Sequence, residues 1–211
     1  MKDFIIKYKI EPLGVIHVGA HFGGEITVYN ELKIKNVVFV EPLSNTFQKL
    51  LENVNKLNSD SECKITFINK ALGNKIEEQE MYVETSNLGQ SSSLLRPEFH
   101  LQQYPGITFP GREVVQVSTL NQEIKNIEGD FNIMNVDVQG YELEVFKGST
   151  DILEKIDIIN TEVNRVHMYE NCPLINEIDE FLAQFDFVKV DENWMGHYWG
   201  DAIYVKKKFL V

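Results

Sequence analysis

The run His17-Val18-Gly19-Ala20-His21-Phe22-Gly23-Gly24-Glu25 constrains this chain more than any other stretch. An apolar segment, Val15 to Gly19, enters it, and a helical pattern with Ile26, Tyr29 and Leu32 on one face leaves it. Strand, glycine turn, helix is the opening unit of an α/β sheet. Small residues there let a ligand approach the backbone closely, beside helix N–H groups that lack intrahelical partners. Any tight strand-to-helix connection can use such a turn. The GAxxG pattern also departs from the GxGxxG of dinucleotide sites.

Further apolar runs alternate with amphipathic patterns, as in a mostly parallel sheet covered by helices. Val37 to Val40 predicts a second strand, stopped at Glu41-Pro42. Asn45 and Gln48 have capping-box spacing and predict a helix start, with Phe47, Leu50, Leu51, Val54 and Leu57 as its buried stripe. Strands are expected over 65–68, 131–136 and 156–161, the last ending at Glu162. Shorter strands are expected over 81–84 and 114–117. The intervening segment, about 86–113, carries Gln90-Ser91-Ser92-Ser93 and several prolines, and reads as a lid or binding loop. Phe187 to Val190 and Ala202 to Val205 predict a closing antiparallel pair joined by a Trp- and Gly-rich loop.

The length of 211 residues suits a single domain over 1–211. A formal net charge of -12 repels phosphate backbones, so a nucleic-acid partner is not expected. The one basic run, Lys206 to Lys208, reads as a solvated strand end. Cys63 and Cys172 form no CxxC pair, which argues against a zinc site or a disulfide framework. No apolar run reaches the roughly 20 residues that a membrane span requires. A cytoplasmic location is expected; the oligomeric state is left open.

Three acids carry the chemistry. Glu41 stands 22 residues past Gly19, near the offset at which an acid accepts hydrogen bonds from ribose hydroxyls. The competing role for Glu41 is to cap the following helix. Asp137 and Glu162 close the predicted fourth and fifth strands, at the sheet edge where such folds bind ligands. Carboxylates there suit a cationic sulfonium and an ammonium group, whereas a pyrophosphate would want the opposite charge. The glycine turn and Glu41 alone would equally describe a nicotinamide-dependent oxidoreductase. A catalytically silent module holding a glycan or partner is a further alternative, against which the three intact acids stand.

The stretches IHVGAHFGGE, VFVEP, SSSLLRP, NVDVQGYELEVFKGS, NTEVNR and WGDAIYVK resemble the FkbM family of methyltransferases across nearly the whole chain. The most specific piece is DVQGYELEVFKG, which places Asp137, Gly140, Glu142 and Gly148 on the family's D-x-x-G-x-E-x-x-x-x-x-G signature. The resemblance implies a Rossmann-like class I methyltransferase fold: an α/β, mostly parallel seven-stranded sheet with helices on both faces and an antiparallel last strand. It implies S-adenosylmethionine as methyl donor and a hydroxyl of a sugar, glycan or small metabolite as acceptor. It further implies that Gly19, Ala20 and Gly23, with His17 and His21 beside them, line the donor's methionine end. Glu41 would hold its ribose, and Asn69 and Ala71 would approach its adenine. The chain departs from many family members at His17, where they carry an acid.

Oxygen methylation calls for a group that removes the acceptor's proton. His167, five residues past Glu162, is the expected base because an imidazole titrates near neutrality. Asp137 is expected to organise the site. Glu162 is expected to orient the acceptor or take the proton, unless it pairs with Arg165. Glu142 falls in the first turn of a helix, where the dipole favours a carboxylate whatever its function. Asp137 and Glu162 alone do not make an octahedral site, so a divalent metal is possible but not favoured. Ser91, Ser92, Trp194 and Trp199 are expected to flank the acceptor.

Overall fold

The structure, a computed structural model, describes residues 1–59 and 61–210. Among these residues lie ten strands: β1 (Gly14–Val18), β2 (Asn36–Val40), β3 (Lys64–Ile68), β4 (Ala71–Leu72), β5 (Glu77–Val83), β6 (Gly111–Ser118), β7 (Ile133–Val136), β8 (Ile158–Asn164), β9 (Phe187–Met195) and β10 (Trp199–Lys206). Eight α-helices accompany them: α1 (Lys2–Lys7), α2 (Ile26–Glu31), α3 (Ser44–Leu57), α4 (Phe99–Gln103), α5 (Leu120–Glu123), α6 (Glu142–Lys147), α7 (Thr150–Leu153) and α8 (Ile175–Ala183). Seven strands form one sheet in the order β3-β2-β1-β7-β8-β10-β9, parallel throughout except for β10.

The central strands are apolar on both faces because both faces are covered. Ile16, Val38 and Met134 share one core with Val145 and Phe146 of α6, Leu153 of α7, and Ile178 and Leu182 of α8. Their neighbours Val15, Val37 and Ile133 point the opposite way, toward Ile5 of α1, Ile26 and Tyr29 of α2, and Leu50 and Val54 of α3. Strand alternation thus assigns each side chain to one of two helical layers.

The helix after β2 starts differently from the capping-box expectation. Leu43 occupies its N-cap position and offers no side-chain acceptor. Instead Glu113 of β6 accepts from the Ser44 N–H at 2.9 Å and its hydroxyl at 2.6 Å. A carboxylate from another strand therefore fills the role expected of Asn45 and Gln48. The buried stripe is Thr46, Leu50 and Val54, whereas Leu57 is exposed.

A second sheet, β4-β6-β5, follows β3 in the chain and carries the inserted segment between β5 and β6. Both long strands run further than expected, so residues 111–113 belong to β6. The segment is fastened to the stretch after β8. Glu98 and His100 donate their backbone N–H groups to the Met168 carbonyl, each at 3.0 Å, and Glu170 donates to the Arg96 carbonyl at 2.8 Å. Of the basic run, Lys206 is buried within β10, where its ammonium donates to the Phe185 carbonyl at 2.6 Å. No helix among the described residues is long and apolar enough to cross a membrane.

Candidate active site

β1 and β7 lie side by side although five strands separate their ends in the chain's winding, so strand order reverses between them. Open α/β sheets bind ligands outside the carboxyl ends of their strands at such a point. Gly19 makes the bend there, with φ at +78°. A Cβ on Gly19 would lie 1.7 Å from the Asp137 carbonyl oxygen, so only glycine lets the two strand ends meet. Gly23 also serves packing. A Cβ there would press into Leu50 and Val54 at 2.5 Å, so its bare backbone seats α3.

A cavity of about 1150 Å³ opens over this bend. Gly19, Ala20, His21, Gly23, Glu41 and Ala71 line it. Asp137, Glu162, Ser91, Ser92, Trp199 and His17 line it as well.

Glu41 is buried, with Oε2 accepting the His21 N–H and Oε1 accepting the Leu43 N–H, both at 3.0 Å. Both sequence readings therefore meet in one carboxyl group: it helps to cap α3 and it faces the cavity. Burial pushes its pKa up to about 7, against the pull of those two N–H donors. Asn69 does not reach the wall. Its amide donates to the carbonyls of Glu41 and Pro42, each at 2.9 Å, and so fixes the turn that presents Glu41. Lys70, Ala71 and Leu72 form the wall there instead.

His17 is fully enclosed, and desolvation lowers its pKa. The imidazole is thus neutral, and its departure from an acid adds no positive charge to the site. The Asn135 amide lies 3.0 Å from its Nε2, and the Tyr29 hydroxyl 3.2 Å from its Nδ1.

Asp137 and Glu162 stand together. One nitrogen, Gln139 Nε2, donates to Asp137 Oδ1 at 2.8 Å and to Glu162 Oε2 at 2.7 Å. Burial pushes Asp137 up to about 6, with the carboxylates of Asp201 and Glu25 adding to the rise. Glu162 is driven well above its ordinary value by burial and then by Asp137, Glu142 and Asp201. Like charges this close in low dielectric favour a shared proton. Glu162 lies inside β8 rather than at its end, because antiparallel β10 extends the pairing as far as Asn164, with Asp201 opposite Glu162. It does not pair with Arg165. That guanidinium stacks 3.6 Å over Trp194 and lies 3.6 Å from Glu192.

Glu142 carries the structural role the sequence suggests, by a different route. Its Oε1 accepts the N–H groups of Val138 at 3.1 Å and Gly140 at 3.0 Å, locking the turn after Asp137. Burial raises its pKa to about 7.

Two expected site residues fall elsewhere. His167 is exposed and absent from the cavity wall, with Nδ1 2.8 Å from the Cys172 carbonyl. Trp194 lies within β9, on the sheet's outer edge, and Trp199 within β10, so neither sits on a loop. Only Trp199 reaches the cavity, where its indole N–H donates to the Tyr104 hydroxyl at 2.6 Å. The wall also includes Asp201, and Gln139, Tyr169, His100, Tyr104 and Asn160, which the sequence does not single out. Gln139 is the third residue of the Asp137 to Gly140 turn, but glutamine carries no chemical signal by itself. Among the described residues no group of three or more His, Cys, Asp or Glu is arranged to hold a metal ion.

The sheet order, the switch-point cleft and the single antiparallel strand define a class I methyltransferase fold. Solved structures agree at low sequence identity. Magnesium protoporphyrin IX methyltransferase from Synechocystis PCC 6803, with S-adenosylmethionine bound, superposes with a TM-score of 0.53 at 8% identity, covering 97% of this chain and 76% of that one. A tRNA (m1A22) methyltransferase assignment from Streptococcus pneumoniae gives 0.51 at 10% identity, over 98% and 70%. Ribosomal protein L11 methylase from Lactobacillus delbrueckii subsp. bulgaricus gives 0.50 at 13%, over 97% and 76%. The profile of the methyltransferase FkbM domain matches residues 17–189, and the chain belongs to that family. No curated protein matches it in sequence.

Proposed function

We propose that this chain transfers a methyl group from S-adenosylmethionine to a hydroxyl oxygen of an uncharged small-molecule or glycan acceptor. The observation that carries this reading is the buried carboxyl pair Asp137–Glu162, facing the same cavity as the glycine bend and Glu41. The donor's chemistry fits the residues present. Its sulfonium and ammonium are cationic, and Glu25, Glu41, Asp137, Glu162 and Asp201 all line the cavity. When bound, S-adenosylmethionine supplies an electrophilic methyl group on sulfur.

The chain's own residues do the rest. Gly19, Ala20 and His21 offer a close backbone approach to the methionine end. Glu41 has acceptor capacity left for ribose hydroxyls after its two backbone contacts. Ala71 and its neighbours form the adenine wall. Ser91, Ser92 and Trp199 hold the acceptor, and the carboxyl pair takes its hydroxyl proton. The inserted segment supplies the acceptor side of a single methyltransferase domain. An acid-lined cavity in a chain of net charge -12 disfavours a polyanionic acceptor such as RNA. The glycine bend and ribose acid would also serve a nicotinamide enzyme; family membership favours the methyl donor.

Thermal-shift and calorimetric titrations with S-adenosylhomocysteine and NADH test the donor, since only a true ligand stabilises strongly. Stabilisation by NADH alone would overturn the reading. Incubation with labelled S-adenosylmethionine against sugars, nucleotide sugars and extracted glycans tests the acceptor. Label found only on nitrogen would overturn the hydroxyl assignment.

A further inference from the structure

We propose that Gln139 is a positioning residue through which the seating of the inserted segment sets the protonation of the Asp137–Glu162 pair. The inference rests on the reading that this pair works in the site.

Gln139 has φ at +55° and Gly140 at +97°, two successive left-handed residues, the first uncommon for a side chain of this length. Gly140 is needed there because a Cβ would meet Cys172 at 2.9 Å and the Tyr169 ring at 3.1 Å. This turn aims the Gln139 side chain back at Asp137 and Glu162.

The amide then satisfies three partners at once. Its two N–H bonds match two carboxyl acceptors, at 2.8 Å and 2.7 Å. Its Oε1 lies 2.8 Å from the Tyr169 hydroxyl, which also lies 2.9 Å from the Ser91 carbonyl and donates its one proton to either. The reverse amide orientation would set its oxygen against two carboxyls, so the partners fix the assignment. The Gln139 backbone carbonyl accepts the Ser93 hydroxyl at 2.7 Å. Ser91 and Ser93 belong to the inserted segment, and Tyr169 to the stretch that segment is fastened to. Gln139 is thus gripped on one side by the acceptor wall and on the other grips both acids.

Both N–H donors stabilise the ionised carboxyls. The other titratable groups acting on the pair are Asp201 from β10, Glu25 ahead of α2 and Glu142 from α6, all acids that favour its protonated form, while the Asn164 side chain favours the ionised form of Glu162. Loosening Gln139 therefore moves the pair's titration upward.

The test compares the protein with Q139N and Y169F, using carbon-13-labelled Asp and Glu carboxyls observed by NMR from pH 4 to 9. Asparagine tolerates the left-handed backbone but is one methylene too short to span both acids. We expect Q139N to raise the pair's apparent titration by about one pH unit, the scale of a charge-assisted hydrogen bond. Y169F touches neither acid, and a smaller shift of the same sign is expected from it. It carries the test alone if Q139N does not fold. A role confined to stability would lower the melting temperature and leave the titration in place; that result in either folded variant overturns the inference. Binding of S-adenosylhomocysteine is measured in parallel. Its absence in the unaltered protein counts against the donor reading, while the carboxyl titrations still decide the role of Gln139.

Discussion

Glu41 reaches back twenty residues to hold the bend of the first strand: its Oε2 accepts the His21 backbone N–H at 3.0 Å. The carboxylate at the end of β2 and the turn at the end of β1 are therefore one unit. His21 needs the support, since its φ of +48° is a left-handed value that a side chain rarely adopts. On the proposed reading, losing Glu41 would loosen the turn at the donor's methionine end as well as remove a ribose acceptor.

Glu41→Ala is therefore expected to weaken S-adenosylhomocysteine binding about tenfold to a hundredfold, the range for a lost hydrogen bond to a charged group. Isothermal titration measures it. Unchanged affinity in a folded variant would remove the ribose assignment.

The same residue ties stability to pH. Glu41 has a folded-state pKa of about 7 against an ordinary value of 4.5. Between those values the folded state holds the extra proton, so this contribution to stability is fully present below pH 4.5 and lost as pH rises through 7. The loss amounts to about 3 kcal/mol for an isolated group. His17, held neutral, works in the opposite direction at the low end, so the comparison must be a difference between variants. Glu41→Gln should gain stability relative to the unaltered protein on going from pH 5 to pH 8, read as urea midpoints. Parallel curves for the two would contradict the burial argument.

Gly148, the last residue of the family signature, has a packing explanation. A Cβ there would lie 1.9 Å from the Gly73 carbonyl oxygen, where the end of α6 meets the turn after β4. Backbone on both sides leaves nowhere to yield. Gly148→Ala is expected to cost about 2–4 kcal/mol, roughly 5–15 °C in melting temperature for a chain of this size. S-adenosylhomocysteine affinity should be retained well below the new midpoint, because neither glycine lines the cavity. A melting temperature within a degree of the original would show that the two turns can separate freely.

The central sheet was legible because its strands are buried on both faces and read as unbroken apolar runs. Where one face is open the signal failed. β9 continues through Asp191, Glu192 and Asn193, an outer strand whose exposed residues break the run. Glu162 was displaced from the expected strand end for a related reason, since pairing with β10 prolongs β8 and no local pattern reports so distant a partner. The three acids line one cavity, and carboxylates at sheet edges have a physical reason to be there. Their connection was not legible. Gln139 and Tyr169 are joined to them only by a turn of positive φ and a long-range contact, neither of which spacing reveals. His167 is misplaced for another reason: a residue type says nothing of direction, and the chain leaving β8 carries it off the cavity wall.

Substitution can separate His167 from the carboxyl pair. His167 is exposed, lies off the cavity wall and is held by the Cys172 carbonyl. His167→Ala should leave methyl transfer to any acceptor found by the labelled-donor screen within about twofold, a bound set by the absence of contact with reacting groups. Asp137→Asn keeps the backbone N–H that donates to the Val18 carbonyl at 3.0 Å, so β1 and β7 stay joined. It removes a proton acceptor, and turnover is expected to fall about a hundredfold to ten-thousandfold. Steady-state rates from pH 6 to 9 for both variants decide the matter. A large loss in His167→Ala with a folded protein and a normal Asp137→Asn rate would return the base to the loop and take it away from the sheet edge.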